Sequence, residues 1–209
     1  MMNRLAVSGL VGAGKTVLSG KLAKLTGYTV IPEPLEENHF LPLFYAPGGM
    51  PLWAYRMQTF ILQTRAAQQQ RCYALFDRTI TDRTIFEDHM FAEMHREAGN
   101  ICPSDFEKYE ADYQKILQDI APPDLLIHLD VSAETALRRV KERLKREELR
   151  ACEASITLEY LVSLKRSYDD FVSVVSKKIP TLVLDWENPC DTSEVVDRVA
   201  VMTPSCSVL

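Results

Sequence analysis

The chain has 209 residues, 46% apolar and 25% charged, with a formal net charge of −5. That is enough for one α/β domain with a real core, and disorder is not expected. The acidic balance, with no lysine block to offset it, argues against a nucleic-acid partner. No apolar run approaches membrane-spanning length, and no charged segment followed by an apolar one opens the chain, so no membrane or secretory role is expected. Five scattered cysteines, Cys72, Cys102, Cys152, Cys190 and Cys206, lack C-x-x-C spacing. They read as free thiols of a reducing compartment, with a cytoplasmic location expected and an organelle left open. The closing Cys206-Ser207-Val208-Leu209 scans as a prenylation box, but Ser207 is not aliphatic and no polybasic stretch precedes it, so lipidation is not expected.

In chain order, Leu5-Ala6-Val7 predicts a buried strand, and Val17, Leu18, Leu22 and Leu25 recur at helical spacing after it. Between them stands Gly9-Leu10-Val11-Gly12-Ala13-Gly14-Lys15-Thr16, the G-x-x-x-x-G-K-[ST] phosphate-binding loop. Gly9, Gly12, Ala13 and Gly14 would turn backbone N–H groups inward to make an anion cradle, aided by the helix N-terminus. Lys15 would reach the β- and γ-phosphates of a nucleoside triphosphate, and the Thr16 hydroxyl would ligate Mg²⁺. Residues 28–31 predict a second strand, ended by Pro32-Glu33-Pro34. A short helix over 35–45 and a Pro/Gly loop over 46–51 follow, then a long helix over 52–71 with Trp53, Met57, Phe60, Ile61 and Thr64 along one stripe. A strand within 73–81 leads to Asp82-Arg83. Helices are expected over 85–97 and 104–120, the second capped by Ser104. A continuous apolar strand begins at Asp124 and runs to Leu129. Ser132 caps a helix entering the basic stretch 138–150, Thr157 caps another reaching about 177, 181–184 is the last strand, and 191–201 an amphipathic helix.

Strands alternating with helices predict a doubly wound, five-stranded parallel sheet flanked by helices. In such a sheet, groups just past the strands' carboxyl ends face the ligand crevice. Glu33 and Asp82-Arg83 occupy those places. A carboxylate there can take a proton from an attacking hydroxyl, and an arginine beside it can offset charge on a moving phosphoryl group.

Four further segments resemble the deoxynucleoside kinases, in particular the bacterial deoxyadenosine/deoxyguanosine kinase branch. These are Glu33-Pro34-Leu35-Glu36-Glu37-Asn38-His39-Phe40-Leu41-Pro42-Leu43-Phe44-Tyr45, Trp53-Ala54-Tyr55-Arg56-Met57-Gln58, Asp82-Arg83-Thr84-Ile85-Phe86-Glu87-Asp88 and Pro123-Asp124-Leu125-Leu126-Ile127-His128-Leu129-Asp130-Val131-Ser132. The resemblance implies the P-loop kinase fold with a helical lid over about 139–154. It implies Glu33 as general base for a sugar 5′-hydroxyl, Arg83 on that hydroxyl and the phosphoryl group, and Asp82 organising Mg²⁺ with Thr16. It implies Gln58 on the base edge, Tyr45 and Glu153 on the 3′-hydroxyl, and Trp53, Met57 and Phe91 around the base. Arg65, two helical turns beyond Gln58, would pair with Asp88 and disfavour thymidine. The family's lid reads R-x-x-x-R-G-R; here Arg139 and Arg143 match it, while Arg146 and Arg150 are displaced candidates.

The expectation is an ATP- and Mg²⁺-dependent deoxynucleoside 5′-kinase, a homodimer, with one domain over residues 1–202 and a C-terminal tail over 203–209. Two other readings stay open: a nucleoside monophosphate kinase of the thymidylate type, whose phosphorylated acceptor Glu33 would repel, and a catalytically idle nucleotide-binding relative.

Overall fold

The computed structural model describes residues 2–34, 38–146 and 153–202. Leu35-Glu36-Glu37, Arg150, part of the expected lid and the tail 203–209 therefore lie outside the described residues. Five strands appear among the described residues: β1 (Arg4–Gly9), β2 (Thr29–Ile31), β3 (Thr79–Asp82), β4 (Leu125–Asp130) and β5 (Thr181–Asp185). All pair in parallel, in the order β2-β3-β1-β4-β5. Leu5, Ala6 and Val7 of β1 and Leu125, Leu126 and Ile127 of β4 are all buried, so both faces of the sheet centre are covered. That is why these strands read as unbroken apolar runs rather than alternating ones.

The helices are α1 (Lys15–Thr26), α2 (Phe40–Tyr45), α3 (Met50–Leu75), α4 (Ile85–Glu97), α5 (Pro103–Leu117), α6 (Ala133–Leu144), α7 (Leu158–Val175) and α8 (Thr192–Met202). Ser132 and Thr157 cap α6 and α7 as expected, accepting from the N–H groups of Thr135 and Tyr160. The expected Ser104 cap is corrected: Cys102 is the N-cap of α5 and its side chain caps no backbone N–H, with Pro103 opening the helix. Proline fits the first turn because its missing N–H is not needed there. The same property brings Pro51 into α3, shortening the expected loop to 46–49. On α1, Leu18 and Leu22 point into the core, but Val17 and Leu25 are about 60% exposed, so the apolar stripe is narrower than the spacing implied.

Register brings the carboxyl ends of the strands together. Val7 of β1 lies beside Asp82 of β3, and Gly9 beside Leu129 of β4. The phosphate loop leaves β1, Arg83 follows β3, and Glu33 follows β2, all at one edge. The α3 face turned inward buries Gln58, Arg65 and Gln69 among the apolar Ala54, Met57, Ile61, Leu62 and Ala66, and buried polar side chains of that kind need partners. Trp53, Phe60 and Thr64 sit to the side of that face, half-buried.

Replacing Thr157 by Ala removes the α7 cap. Equilibrium urea unfolding should show a loss of about 1 kcal/mol with an unchanged m-value.

Candidate active site

The phosphate loop needs its glycines for two different reasons. Gly12 has φ +85°, and a Cβ there would lie 2.5 Å from the Ala136 carbonyl oxygen of α6. Gly14, in the left-handed region, caps α1. The Lys15 ammonium folds back on the loop, donating to the carbonyl oxygens of Gly9 at 2.9 Å and Leu10 at 2.8 Å. Burial, reinforced by the nearby Arg83 charge, lowers its pKa to about 7, against the pull of Asp82, Glu33 and Glu87. The Thr16 hydroxyl donates to Asp82 Oδ2 at 2.5 Å, and Asp82 Oδ1 is buried without a partner among the described residues. An unsatisfied carboxylate oxygen beside a threonine hydroxyl, at the end of a phosphate cradle, fits a hard cation such as Mg²⁺ that completes its shell with phosphate and water.

Arg83 is the single non-glycine residue with positive φ (+72°) among the described residues. A conformation of that kind costs about 1–3 kcal/mol and persists only where the surroundings over-determine it. The surroundings here do so. Its Nε lies 2.8 Å from Glu33 Oε1. Its Nη1 donates to Tyr168 Oη at 2.5 Å and to the Gly9 carbonyl at 3.3 Å, and lies 3.5 Å from Glu87 Oε1. Burial opposes the charge on Arg83, but Tyr168, Glu33, Glu87 and Asp82 together raise its pKa well above the ordinary value, so it remains a cation.

Arg65, equally buried, reaches the same carboxylate: its Nη2 is 3.5 Å from Glu33 Oε1. Its Nε donates to both oxygens of Asp88, at 3.2 and 2.9 Å, and its Nη1 to the Asp82 carbonyl at 3.3 Å. Burial pushes Asp88 up to about 7 even with Arg65 drawing it down.

These groups line a cavity of about 200 Å³. Gly12, Gly14, Lys15 and Thr16 form one end, with Glu33 and Arg83 next to them. Met57, Gln58, Arg65, Asp88 and Phe91 form its depth. Tyr45, Arg143 and Glu153 close the remaining side, Arg143 forming an ion pair with Glu153. Not every residue expected at the site meets the cavity. Trp53 packs on Phe40, ring centroids 6.0 Å apart, outside the lining. Arg139 spends its guanidinium on the backbone carbonyls of Ala13, Trp186 and Glu187 and so braces the loop from behind. Gly9 and Ala13 contribute carbonyls to these contacts, and Asp82 acts from beneath, through Thr16. Arg146 lies exposed in the turn just past α6, away from the lining.

Other lining residues escaped the sequence reading: Leu41, Ile61 as a lining group, and Tyr160, whose hydroxyl is hydrogen-bonded to that of Tyr45. Burial pushes Tyr160 up to about 12, so it stays a neutral phenol. Glu87 and Tyr168 support Arg83 without lining the cavity. Glu87 was given no role from the sequence, and the structure places it in a Thr84-x-x-Glu87 capping box at the start of α4.

A triphosphate cradle beside a carboxylate–arginine pair in one partly open cavity defines a P-loop phosphotransferase acting on a small acceptor. Comparison with known proteins narrows the class: residues 5–204 match the model of the deoxynucleoside kinases. The chain belongs to that family. It is 34% identical over 195 residues to a deoxyadenosine kinase of Dictyostelium discoideum, covering 93% of this chain and 77% of that protein. It is 28% identical over 206 residues to a deoxyguanosine kinase of Lactobacillus acidophilus, covering 96% and 88%. Among solved structures, deoxyadenosine kinase of M. mycoides with bound dATP superposes with a TM-score of 0.81 at 28% identity, covering 96% of this chain and 100% of that one. The same enzyme with dCMP and a flexible dCDP gives 0.80 at 29%, covering 95% and 97%. The protein is thus a kinase that phosphorylates the 5′-hydroxyl of a deoxynucleoside.

Phosphate arriving beside Lys15 favours its ammonium form, raising a pKa that starts at about 7. Triphosphate binding should therefore take up close to one proton at pH 8 and almost none below pH 6, with affinity weakening as pH rises above 7. Calorimetry in buffers of differing ionisation enthalpy measures this uptake, and Lys15→Met should abolish it.

Proposed function

We propose that the enzyme transfers the γ-phosphoryl group of ATP to deoxyadenosine, deoxyguanosine or deoxycytidine in preference to thymidine. The observation that carries the reading is the Glu33 carboxylate in the cavity wall, addressed by Arg83 at 2.8 Å and Arg65 at 3.5 Å. A carboxylate at that place suits a neutral alcohol and repels a phosphomonoester, which disfavours a thymidylate-type kinase. Glu33 accepts the 5′-hydroxyl proton while Arg83 and Lys15 offset charge on the group in transfer. Arg143 lends further positive charge from the lid. Thr16 and Asp82 would hold Mg²⁺, which when bound neutralises triphosphate charge.

Gln58, whose amide both donates and accepts, would read the base edge, with Met57 and Phe91 as its walls. Tyr45 and Glu153 would take the 3′-hydroxyl. Asp88, held by Arg65, presents a carboxylate oxygen to an amino group that adenine and cytosine carry and thymine lacks. The names of the relatives, which include deoxyadenosine, deoxyguanosine and deoxycytidine, support that preference. So do dATP and dCTP bound to the M. mycoides enzyme.

A homodimer built on the outer faces of α3 and α5 belongs to this reading, supported by Leu52, which is 74% exposed beside half-buried Trp53. So does a cytoplasmic location, supported by free thiols at Cys72, Cys102 and Cys190. No described helix is long and apolar enough to cross a membrane. Residues 1–202 would act as one kinase domain with its lid over about 139–154.

With labelled ATP and the four deoxynucleosides, transfer to thymidine should be the slowest; equal rates on all four would remove the specificity reading, and no transfer would mark an idle relative. Glu33→Gln should lower kcat by roughly 10²–10⁴ while leaving nucleoside binding, measured by calorimetry, within a few-fold of the parent.

A further inference from the structure

Arg83 meets groups from four parts of the chain, and one of them has no place in the chemistry described so far. Tyr168 lies on α7, 85 residues further along, fully buried and outside the cavity lining. Its hydroxyl accepts from Arg83 Nη1 at 2.5 Å and donates to Glu87 Oε1 at 2.7 Å. Glu87 is itself immobilised, its other oxygen accepting the Thr84 N–H at 2.7 Å as half of the α4 capping box. The result is a relay of fixed partners, Arg83 to Tyr168 to Glu87 to the backbone of α4, with Arg83 Nη1 also 3.5 Å from the Glu87 oxygen that Tyr168 bonds. Phe91 lies under the guanidinium, its ring centroid 5.1 Å away, and blocks the remaining direction of swing.

These contacts use two of the three guanidinium nitrogens. Nη1 is taken by Tyr168, Gly9 and Glu87, and Nε faces Glu33, so Nη2 is the nitrogen engaged in none of them. Without the Tyr168 hydroxyl, the nearest charged group to Nη1 on that side is Glu87, 3.5 Å away. A buried cation deprived of one partner moves toward the next, so Arg83 would be drawn toward α4 and away from Glu33.

We propose that Tyr168 is a positioning residue: its hydroxyl holds the Arg83 guanidinium at the angle from which it meets the transferring phosphoryl group. This rests on the reading of Arg83 as a catalytic group. The tyrosine ring packs on His128, Phe91 and Phe171, with centroids 5.5, 6.0 and 6.3 Å away. Tyr168→Phe keeps that packing and removes only the hydroxyl.

The test is steady-state kinetics on the full chain. Tyr168→Phe should lower kcat about 10- to 100-fold, the scale of losing a hydrogen bond to a charged group, with the deoxynucleoside KM within about threefold. In an Arg83→Lys background the same substitution should change kcat by no more than about twofold, because the group it positions is gone. Glu87→Gln, which weakens the far end of the relay, should give the same split between kcat and KM. Val175→Ala, at the other end of α7, should lower the melting temperature and leave kcat unchanged, separating positioning from simple loss of stability. An unchanged kcat in Tyr168→Phe, or an equal loss in both backgrounds, overturns the proposal while leaving Arg83 catalytic. An unchanged kcat in Arg83→Lys overturns the reading of Arg83 and the proposal with it.

Discussion

Two buried guanidinium groups meet on a single oxygen of Glu33, and much of the molecule is arranged to make that meeting possible. Arg83 comes from the end of β3, Arg65 from the middle of α3, and Glu33 from the end of β2. Taking these charges out of water costs several kcal/mol each, which only close partners offset. Asp88, Glu87, Tyr168 and the carbonyls of Gly9 and Asp82 are those partners. Removing one member of such a cluster strands the others, at about 3–5 kcal/mol for a buried pair. The site and the fold therefore share the same bonds. Around the phosphate loop, Glu33, Asp82, Glu87 and Asp88 stand against Lys15, Arg65 and Arg83, a surplus of acid that a bound cation would relieve.

What could be read from the chain alone was whatever depends on neighbours in sequence. The phosphate loop was legible because a backbone anion cradle requires glycine at set intervals. The sheet was legible because strands buried on both faces leave unbroken apolar runs. Glu33, Asp82 and Arg83 were placed at the site by one rule, that residues just past the strands' carboxyl ends of a parallel sheet face its crevice. The resemblance to the deoxynucleoside kinases then carried Tyr45, Gln58, Arg65, Asp88 and Glu153, which the structure gathers around the same cavity.

What escaped depends on distance or on conformation. Tyr160 and Leu41 reach the cavity because α7 and α2 pack beside it, and nothing local to either residue records that packing. The positive φ of Arg83 has no signature, since arginine is not a residue that prefers it. On α3 the error was partial. The expected stripe of Trp53, Met57, Phe60, Ile61 and Thr64 is buried at Met57 and Ile61, whereas Trp53, Phe60 and Thr64 lie to the side and the inward face also carries Gln58, Arg65 and Gln69. Hydrophobicity is an incomplete guide where a helix lines a polar cavity, because polar side chains are then buried among the apolar ones.

The tight fit of Gly12 against α6 has a mechanical meaning. The Ala136 carbonyl leaves no room there for a methyl group, Arg139 holds the carbonyls of Ala13, Trp186 and Glu187, and Glu187 in turn accepts from Thr135 at 2.6 Å. The first two turns of α6 are thus riveted to the loop that grips the donor's phosphates. That stretch of helix and the loop form one body, so a side chain that shifts the start of α6 also shifts the phosphate cradle.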